Sequence, residues 1–408
     1  MIRHCGSFMH HHEPHIVPAV EVQRRLAALQ RQLRADGAAL LWVDHLADRL
    51  YLSGSAQDAV LLLPAEGDPV YCVRKSRSRA QRESPLDVRP YPGRRGLIAE
   101  AARLLGDERR LGLALDVSRA ATYALLQQGI EGLRIQDATP AIRLARSVKS
   151  PWEVEQVRGA CRQVVQLFEE IGERIRPGMS ELELTGEVEG RLRALGHGGT
   201  VRVRQPASDI SMGVVVAGPS GRYPTAFNGP VGAPGPFPPT ASGAGERMLA
   251  RGETVMLDLV TSHNGYHGDN TRTFFLGARV PEPLERAHRF CREVLAELEQ
   301  RMRPGAVCSE VFREVAAWAR ERGEPEGFMG HGENRVRFFG HGVGLELDEL
   351  PVLAEKIDLP LEVGAILAVE PKAFPDGGPV GVENTYVIVA DGCENLCPVD
   401  DALVCVPA

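Results

Sequence analysis

Two aspartates set in neighbouring apolar segments constrain this chain more than any other feature. The segments MLDLV (256–260) and NTRTFF (270–275) flank Asn264-Gly265, a dipeptide typical of a tight β-hairpin turn. Asp258 lies in the first segment, and Asp269 directly precedes the second. Two carboxylates facing each other across such a hairpin would repel strongly unless a cation lay between them. The sequence therefore predicts a hairpin that holds a cation.

The C-terminal part of the chain supplies further candidate ligands. His341 lies between glycines in FFGHGVGLELDELP, Glu370 lies in ILAVEPKAF, and Glu383 lies in GVENTYVIVA. Two aspartates, one histidine and two glutamates suit two divalent ions bridged by carboxylates, and Mn, Fe, Co or Zn are all compatible. A single carboxylate would more often be a capped strand end or a surface group, but five ligands in this order favour a metal site. Arg272 is expected to brace the carboxylates rather than to bind substrate.

These motifs closely resemble the pita-bread metalloenzyme family, which includes methionine aminopeptidase, aminopeptidase P, prolidase and the metal-free creatinase. The resemblance covers nearly the whole chain and implies an α+β protein. It implies a C-terminal pita-bread metallohydrolase domain, with helices on one face of a curved sheet, preceded by a smaller creatinase-type α/β domain. It also implies a homodimer and two divalent metal ions, with manganese the first choice over Co, Zn or Fe. The ligands implied by the resemblance are Asp258, Asp269, His341, Glu370 and Glu383.

Local patterns divide the chain into three parts. We expect a flexible N-terminal segment (1–19), an α/β domain (20–147) and the catalytic domain (148–408). The second part begins with an amphipathic helix that ends at Gly37, and the strand-like runs ALLWV, AVLLLP and PVYCV follow. Alternating strands and helices argue for an α/β domain. It contains no glycine-rich phosphate loop, so a packing or subunit-interface role is expected.

The third part shows clear helix signals and one long irregular stretch. Capping boxes at Ser150 and Ser180 each predict the start of a helix. Further helices are expected near 283–303 and 309–323. The segment 218–245 is too rich in Pro and Gly for regular structure, and its length favours an active-site loop over a passive linker.

Composition excludes several classes of partner. Lys and Arg total 47 against 54 acidic residues, which gives a net charge of −7 over 408 residues and favours neither nucleic acid nor an anionic membrane. No apolar run approaches the ~20 residues that span a bilayer. The N-terminus lacks the apolar core of a signal peptide, so we expect a cytoplasmic protein. Its eight cysteines then indicate buried thiols rather than a disulfide framework.

The resemblance implies a dinuclear hydrolase of the Xaa-Pro peptidase type, which cleaves a C–N bond with a metal-bridging hydroxide. Asp269 and Glu383 would bridge the ions. Asp258 would complete the shell of one ion, and His341 with Glu370 that of the other. Glu370 would also carry the proton from the attacking water to the leaving nitrogen.

Departures from the family pattern fall on the substrate side of the site. Thr225, Arg337 and Asp348 stand where the peptidases usually carry histidines, and Gly381 replaces an arginine. We predict substrate contacts at Thr225, Tyr266, Arg337 and Asp348, and a catalytic contribution from the last two. A pocket-facing Arg337 would bind an anionic group of the substrate, whereas an Arg337–Asp348 ion pair would be purely structural.

Three functions therefore remain open. The first is hydrolysis of a small peptide of the Xaa-Pro type. The second is C–N hydrolysis or elimination on a small non-peptide substrate at the same metal site. The third is a non-catalytic binding module that keeps the fold. The intact ligand set favours the enzyme.

Overall fold

The computed structural model describes residues 15–204, 210–240 and 242–407. It forms two compact units, Met1–Arg146 and Ser147–Ala408. Of the predicted N-terminal segment, residues 1–14 lie outside the described residues, and the first helix begins at Ala19.

The N-terminal unit alternates helices and short strands. In chain order its elements are α1 (Ala19–Asp36), β1 (Leu40–Val43), α2 (Leu46–Ser53), β2 (Ala59–Pro64), β3 (Val70–Val73), α3 (Arg77–Glu83), β4 (Val88–Pro90), α4 (Gly93–Leu105), β5 (Arg110–Leu113), α5 (Ala120–Gly129), β6 (Arg134–Asp137) and α6 (Thr139–Ser147). The strands form one sheet in the order β4-β3-β2-β1-β5-β6. Strand β1 is antiparallel to β2 and parallel to β5, so the sheet is mixed.

The first helix follows its sequence pattern closely. Leu26, Leu29 and Leu33 are buried, as their helical spacing predicts. Gly37 ends the helix in the left-handed conformation, with a φ of 69° that a residue without a Cβ adopts at little cost. The expected α/β class of this unit is confirmed.

The C-terminal unit combines four helices with three small sheets among the described residues. In chain order its elements are α7 (Pro151–Glu170), α8 (Glu181–Ala194), β7 (Gly213–Ala217), β8 (Thr254–His263), β9 (Tyr266–Leu276), α9 (Glu282–Arg301), α10 (Cys308–Glu321), β10 (Phe338–Gly342), β11 (Glu349–Ala354), β12 (Ile366–Val369), β13 (Lys372–Ala373), β14 (Val380–Gly381), β15 (Asn384–Val389), β16 (Gly392–Asn395) and β17 (Val404–Val406). The sheet orders are β17-β9-β8-β7, β11-β10-β12-β15-β16 and β13-β14.

Both predicted capping boxes start helices of this unit. The Ser150 hydroxyl accepts the Glu153 N–H at 3.2 Å, and a Glu153 carboxylate oxygen accepts the Ser150 N–H at 3.1 Å. Ser180 and Glu183 repeat the exchange at the start of α8. Each pair satisfies two backbone donors that a helix start leaves open.

The central hairpin is longer than its apolar segments predict, because β8 and β9 extend to the turn. Asn264 and Gly265 form the turn with φ values of 50° and 83°, the positive values that a two-residue turn of this kind needs. Asp258 lies opposite Thr271, and Asp269 lies opposite Val260. The two aspartates are thus diagonal neighbours on one face of the hairpin.

Apolar clusters fix both layers of this unit. One cluster joins α7 and α8 to the hairpin sheet, and another joins α9 and α10 to the five-stranded sheet. None of the helices in the described ranges is long and apolar enough to cross a bilayer. The cysteines in those ranges are free thiols, and all except Cys393 and Cys405 are buried.

Candidate metal centre

One face of the hairpin carries the aspartates of the centre. Residues two apart along a strand point to the same side, so Asp269 and Thr271 share a face, and Asp258 joins them from β8. The Thr271 hydroxyl lies 2.6 Å from Asp258 Oδ1 and 2.8 Å from Glu383 Oε2. Its single proton can serve one of these oxygens at a time, which leaves negative charge for a further donor or cation to balance.

Glu383 reaches the hairpin through backbone pairing. The Thr271 N–H donates to the Glu383 carbonyl at 3.1 Å, and the Glu383 N–H donates to the Thr271 carbonyl at 3.3 Å. The Thr385 hydroxyl accepts the Asp269 N–H at 3.0 Å and donates to the Asp269 carbonyl at 2.9 Å. These bonds fix the backbone of both predicted bridging residues.

Arg272 reinforces that junction in a way that differs from the prediction. Its guanidinium donates to the carbonyls of Thr271 and Glu383 at 2.8 and 3.1 Å and pairs with Asp401 at 3.0 Å. It therefore braces the backbone behind the carboxylates rather than the carboxylate oxygens themselves.

His341 enters from β10 with its ring orientation fixed. Its Nδ1 lies 3.1 Å from the Leu347 carbonyl and 3.2 Å from the Gly342 carbonyl, both of which can only accept, so Nδ1 carries the proton. In the neutral ring, Nε2 then carries the lone pair that can bind a metal. Nε2 lies 3.8 Å from Asp269 Oδ2 and 3.8 Å from Glu370 Oε1. Hydrogen bonds from Nδ1 to backbone carbonyls fix the tautomer and the ring orientation, as they do in histidines that bind a metal through Nε2.

His267 holds the glycine-rich turn after His341. Its backbone N–H and its Nδ1 both bond the Gly344 carbonyl, at 2.7 and 2.9 Å, and its Nε2 accepts the Arg202 N–H at 3.1 Å. Burial lowers the pKa of His267 to about 4, so the ring is neutral at physiological pH. It is a positioning residue for the turn and carries no charge into the centre.

Lys372 contacts three carboxylates of the centre, and the sequence analysis did not identify it. Its Nζ is 2.7 Å from Glu370 Oε2, 2.8 Å from Glu383 Oε2 and 3.2 Å from Asp258 Oδ2. Burial alone would lower the pKa of Lys372, but the surrounding carboxylates outweigh burial and raise it well above its usual value. One signal was available: Lys372 follows Glu370 by two residues in an extended run, so both side chains share a face.

The remaining side of the cluster fits one divalent ion. Ligand atoms of Asp269, His341 and Glu383 all lie within 4.8 Å of one another. Glu383 Oε1 is buried and has no hydrogen-bond partner among the described residues. Burial and neighbouring negative charge raise the pKa of Asp269 and of Glu383, and the Lys372 ammonium offsets only part of this effect. A second ion fits less well, because the oxygens that would bind it, from Asp258, Glu370 and Glu383, already surround the Lys372 ammonium.

Tyr266, a predicted substrate contact, is buried between the hairpin and α7. Its ring is buried and packs edge-on against Trp152 at a centroid distance of 5.8 Å, and its hydroxyl bonds Glu153 at 3.1 Å. It precedes Asp269 by three residues in the strand and so points to the opposite face. The structure assigns it to packing between the hairpin and α7.

The other predicted substrate residues lie in loops, and two of them directly precede strands of the five-stranded sheet. Thr225 is half-buried, and its backbone N–H donates to Asn334 at 3.1 Å. Arg337 is exposed just before β10, and Asp348 is half-buried just before β11. Asp348 makes a polar or charged contact of its own.

Comparison with known protein families also indicates a metal-binding enzyme. Residues 155–390 match Metallopeptidase family M24, and residues 25–148 match the Creatinase/Prolidase N-terminal domain. The chain therefore belongs to metallopeptidase family M24, and by class it is a metal-dependent peptidase.

Individual relatives cover nearly the whole chain. A probable dipeptidase PepE of Mycobacterium bovis is 26% identical over 95% of this chain and 97% of its own length. An Xaa-Pro dipeptidase of Pyrococcus furiosus is 24% identical over 87% of this chain and 92% of its own length.

Solved structures establish the same fold. The dipeptidase PepE of Mycobacterium ulcerans superposes with a TM-score of 0.80 at 23% identity, over 96% of this chain and all of that one. The prolidase of Pyrococcus horikoshii superposes with a TM-score of 0.77 at 20% identity, over 93% of this chain and all of that one. The predicted two-domain pita-bread architecture is confirmed.

Proposed function

We propose that this peptidase hydrolyses small peptides with a free carboxylate, Xaa-Pro dipeptides first among them. The observation that carries the proposal is the buried, unpartnered Glu383 Oε1 beside Asp269 and the oriented Nε2 of His341. A buried carboxylate oxygen without a donor is costly unless a cation binds it. The relatives named as dipeptidases support the choice of peptide length.

The chain's own residues divide the chemistry between them. A divalent ion held by Asp269, His341 and Glu383 would polarise the scissile carbonyl and activate the attacking water. Glu370 would take a proton from that water on Oε1, because its Oε2 is already bonded to Lys372. The water oxygen adds to the carbonyl carbon, the C–N bond breaks, and Glu370 returns the proton to the leaving nitrogen.

Arg337 is the proposed anchor for the substrate carboxylate. It stands four residues before His341, and it is exposed. An exposed guanidinium can bind a carboxylate with two parallel hydrogen bonds. Thr225 and Asp348 are retained as further substrate contacts.

Replacement of Arg337 by Lys is expected to separate acid from amide substrates. KM for a dipeptide acid should rise about 10-fold, because Lys keeps the charge but loses the bidentate geometry. KM for the matching dipeptide amide should stay within about twofold, since that substrate offers no carboxylate to bind. Steady-state kinetics on both substrates measures the difference.

Arg335→Lys is the matched control for that experiment. Arg335 is exposed two residues away and pairs with Glu324 at 2.8 Å. It should leave both KM values unchanged. Equal rises in KM for the acid and the amide in Arg337→Lys would contradict the anchor role.

A substrate screen tests the function as a whole. Metal-depleted protein is reloaded separately with Mn, Co, Zn and Fe, and release of free amino acids is followed for Xaa-Pro and non-proline dipeptides and tripeptides. We expect dipeptide hydrolysis that a chelator abolishes and metal restores. Absence of peptide hydrolysis in folded, metal-loaded protein would favour a non-peptide substrate or a binding role.

The remaining expectations derive from the family resemblance. We infer that manganese is the resident metal, that the protein is a homodimer and that it works in the cytoplasm. Metal analysis of protein purified without added metal and light scattering in solution test the first two.

A further inference from the structure

The ammonium of Lys372 uses all of its donors within the centre. Its three N–H groups meet three carboxylate oxygens, one each from Asp258, Glu370 and Glu383, at 2.7 to 3.2 Å. Only 1% of the side chain is exposed. A buried ammonium with all three donors engaged cannot move without breaking these bonds.

The backbone around Lys372 holds the side chain in this position. Lys372 pairs with Gly381 in the two-stranded β13-β14 sheet, and its carbonyl accepts the Met329 N–H at 2.8 Å. A Cβ at position 381 would lie 2.7 Å from Lys372 Cα and 2.8 Å from Lys372 Cγ. The glycine at 381 therefore provides the space that the lysine stem fills.

The oxygens of the cluster divide into two groups around this ammonium. Asp258 Oδ2, Glu370 Oε2 and Glu383 Oε2 all converge on Lys372 Nζ. Glu370 Oε1 and Asp269 Oδ2 instead approach His341 Nε2. A metal ion binds oxygen at about 2.0–2.2 Å, so an ion shared by the first group would have to lie where the ammonium is.

We propose that this centre binds one divalent ion, held by Asp269, His341 and Glu383, and that the Lys372 ammonium takes the position of a second ion. The inference refines the proposed function, on which it rests, and it replaces the two-ion site predicted from the sequence. One fixed ammonium and one exchangeable metal ion then share the four carboxylates. A second metal ion would meet like charge at close range as well as occupied space.

Metal stoichiometry tests the proposal directly. Wild-type protein is saturated with Mn²⁺, freed of excess by gel filtration and analysed by plasma mass spectrometry against protein concentration. We expect one Mn²⁺ per chain in wild type and two in Lys372→Gly, which removes both the charge and the bulk. Lys372→Met removes the charge but keeps the bulk, and it should remain at one.

Lys356→Gly is the matched control, because Lys356 is an exposed lysine of the same unit. It should stay at one ion per chain. Circular dichroism confirms that each variant is folded, and two ions per chain in wild type would overturn the proposal whether or not Lys372→Gly folds.

Each outcome separates this inference from the proposed function. Two ions per chain in wild type would overturn the ammonium's role but leave a metal-dependent peptidase. No ion in wild type would overturn both. One ion in wild type and still one in folded Lys372→Gly would show that Lys372 does not occupy a metal position.

Discussion

Glu383→Gln is expected to abolish peptidase activity and metal binding together. The carboxylate supplies a buried oxygen to the metal side through Oε1 and a 2.8 Å contact to Lys372 through Oε2. The amide of Gln keeps the shape of the side chain, but it removes the negative charge that faces both the metal position and Lys372. Loss of a residue that hydrogen-bonds a metal ligand typically lowers metal affinity or activity about 10–100-fold. Loss of a ligand itself should therefore lower kcat/KM by at least about 100-fold.

Metal analysis and kinetics on the same preparation measure this effect. Glu394→Gln provides the control, since Glu394 is an exposed carboxylate on β16 that pairs with Arg158 at 2.7 Å. It should retain wild-type activity and metal content. Full activity with stoichiometric metal in Glu383→Gln would remove Glu383 from the centre.

Lys372→Met is expected to destabilise the metal-free protein strongly. Removing one partner of a buried ion pair typically costs about 3–5 kcal/mol, because the remaining charges stay buried without compensation. Here three carboxylates lose their shared cation at once. For a unit of this size the apparent melting temperature should fall by about 10 °C in the presence of a chelator.

Differential scanning fluorimetry with and without Mn²⁺ measures that loss. Saturating Mn²⁺ should restore part of it, because a bound ion balances some of the released negative charge. Lys356→Met, at an exposed position, should shift the melting temperature by less than about 2 °C under either condition. An unchanged melting temperature in chelated Lys372→Met would mean that the ammonium does not stabilise the cluster.

The hairpin could be predicted from the sequence because its signals are local. Asn264-Gly265 specifies the turn, and apolar residues around Asp258 and Asp269 specify the strands. The diagonal offset of the two aspartates follows from the same turn. A two-residue turn at Asn264-Gly265 pairs His263 with Tyr266, and counting back along both strands pairs Asp258 with Thr271 rather than with Asp269.

Lys372 escaped sequence reasoning because its partners are distant in the chain. A lysine in an apolar run can end at the surface or reach a buried acid, and only the packing of β8, β13 and the segment before β15 decides which. The packing of Tyr266 was not evident for a related reason. Tyr266 lies close to Asp269 in sequence, but strand alternation turns its ring towards α7.

The long-range pairing of the hairpin with the segment before β15 has a kinetic consequence. The contacts that join Thr271 to Glu383 and Asp269 to Thr385 span 112 and 116 residues of chain. Closing loops of that length is slow compared with forming a helix or a two-residue turn. The centre therefore forms only after the chain has been synthesised past Glu383 and these long-range contacts have closed, so a nascent chain cannot complete its metal site early.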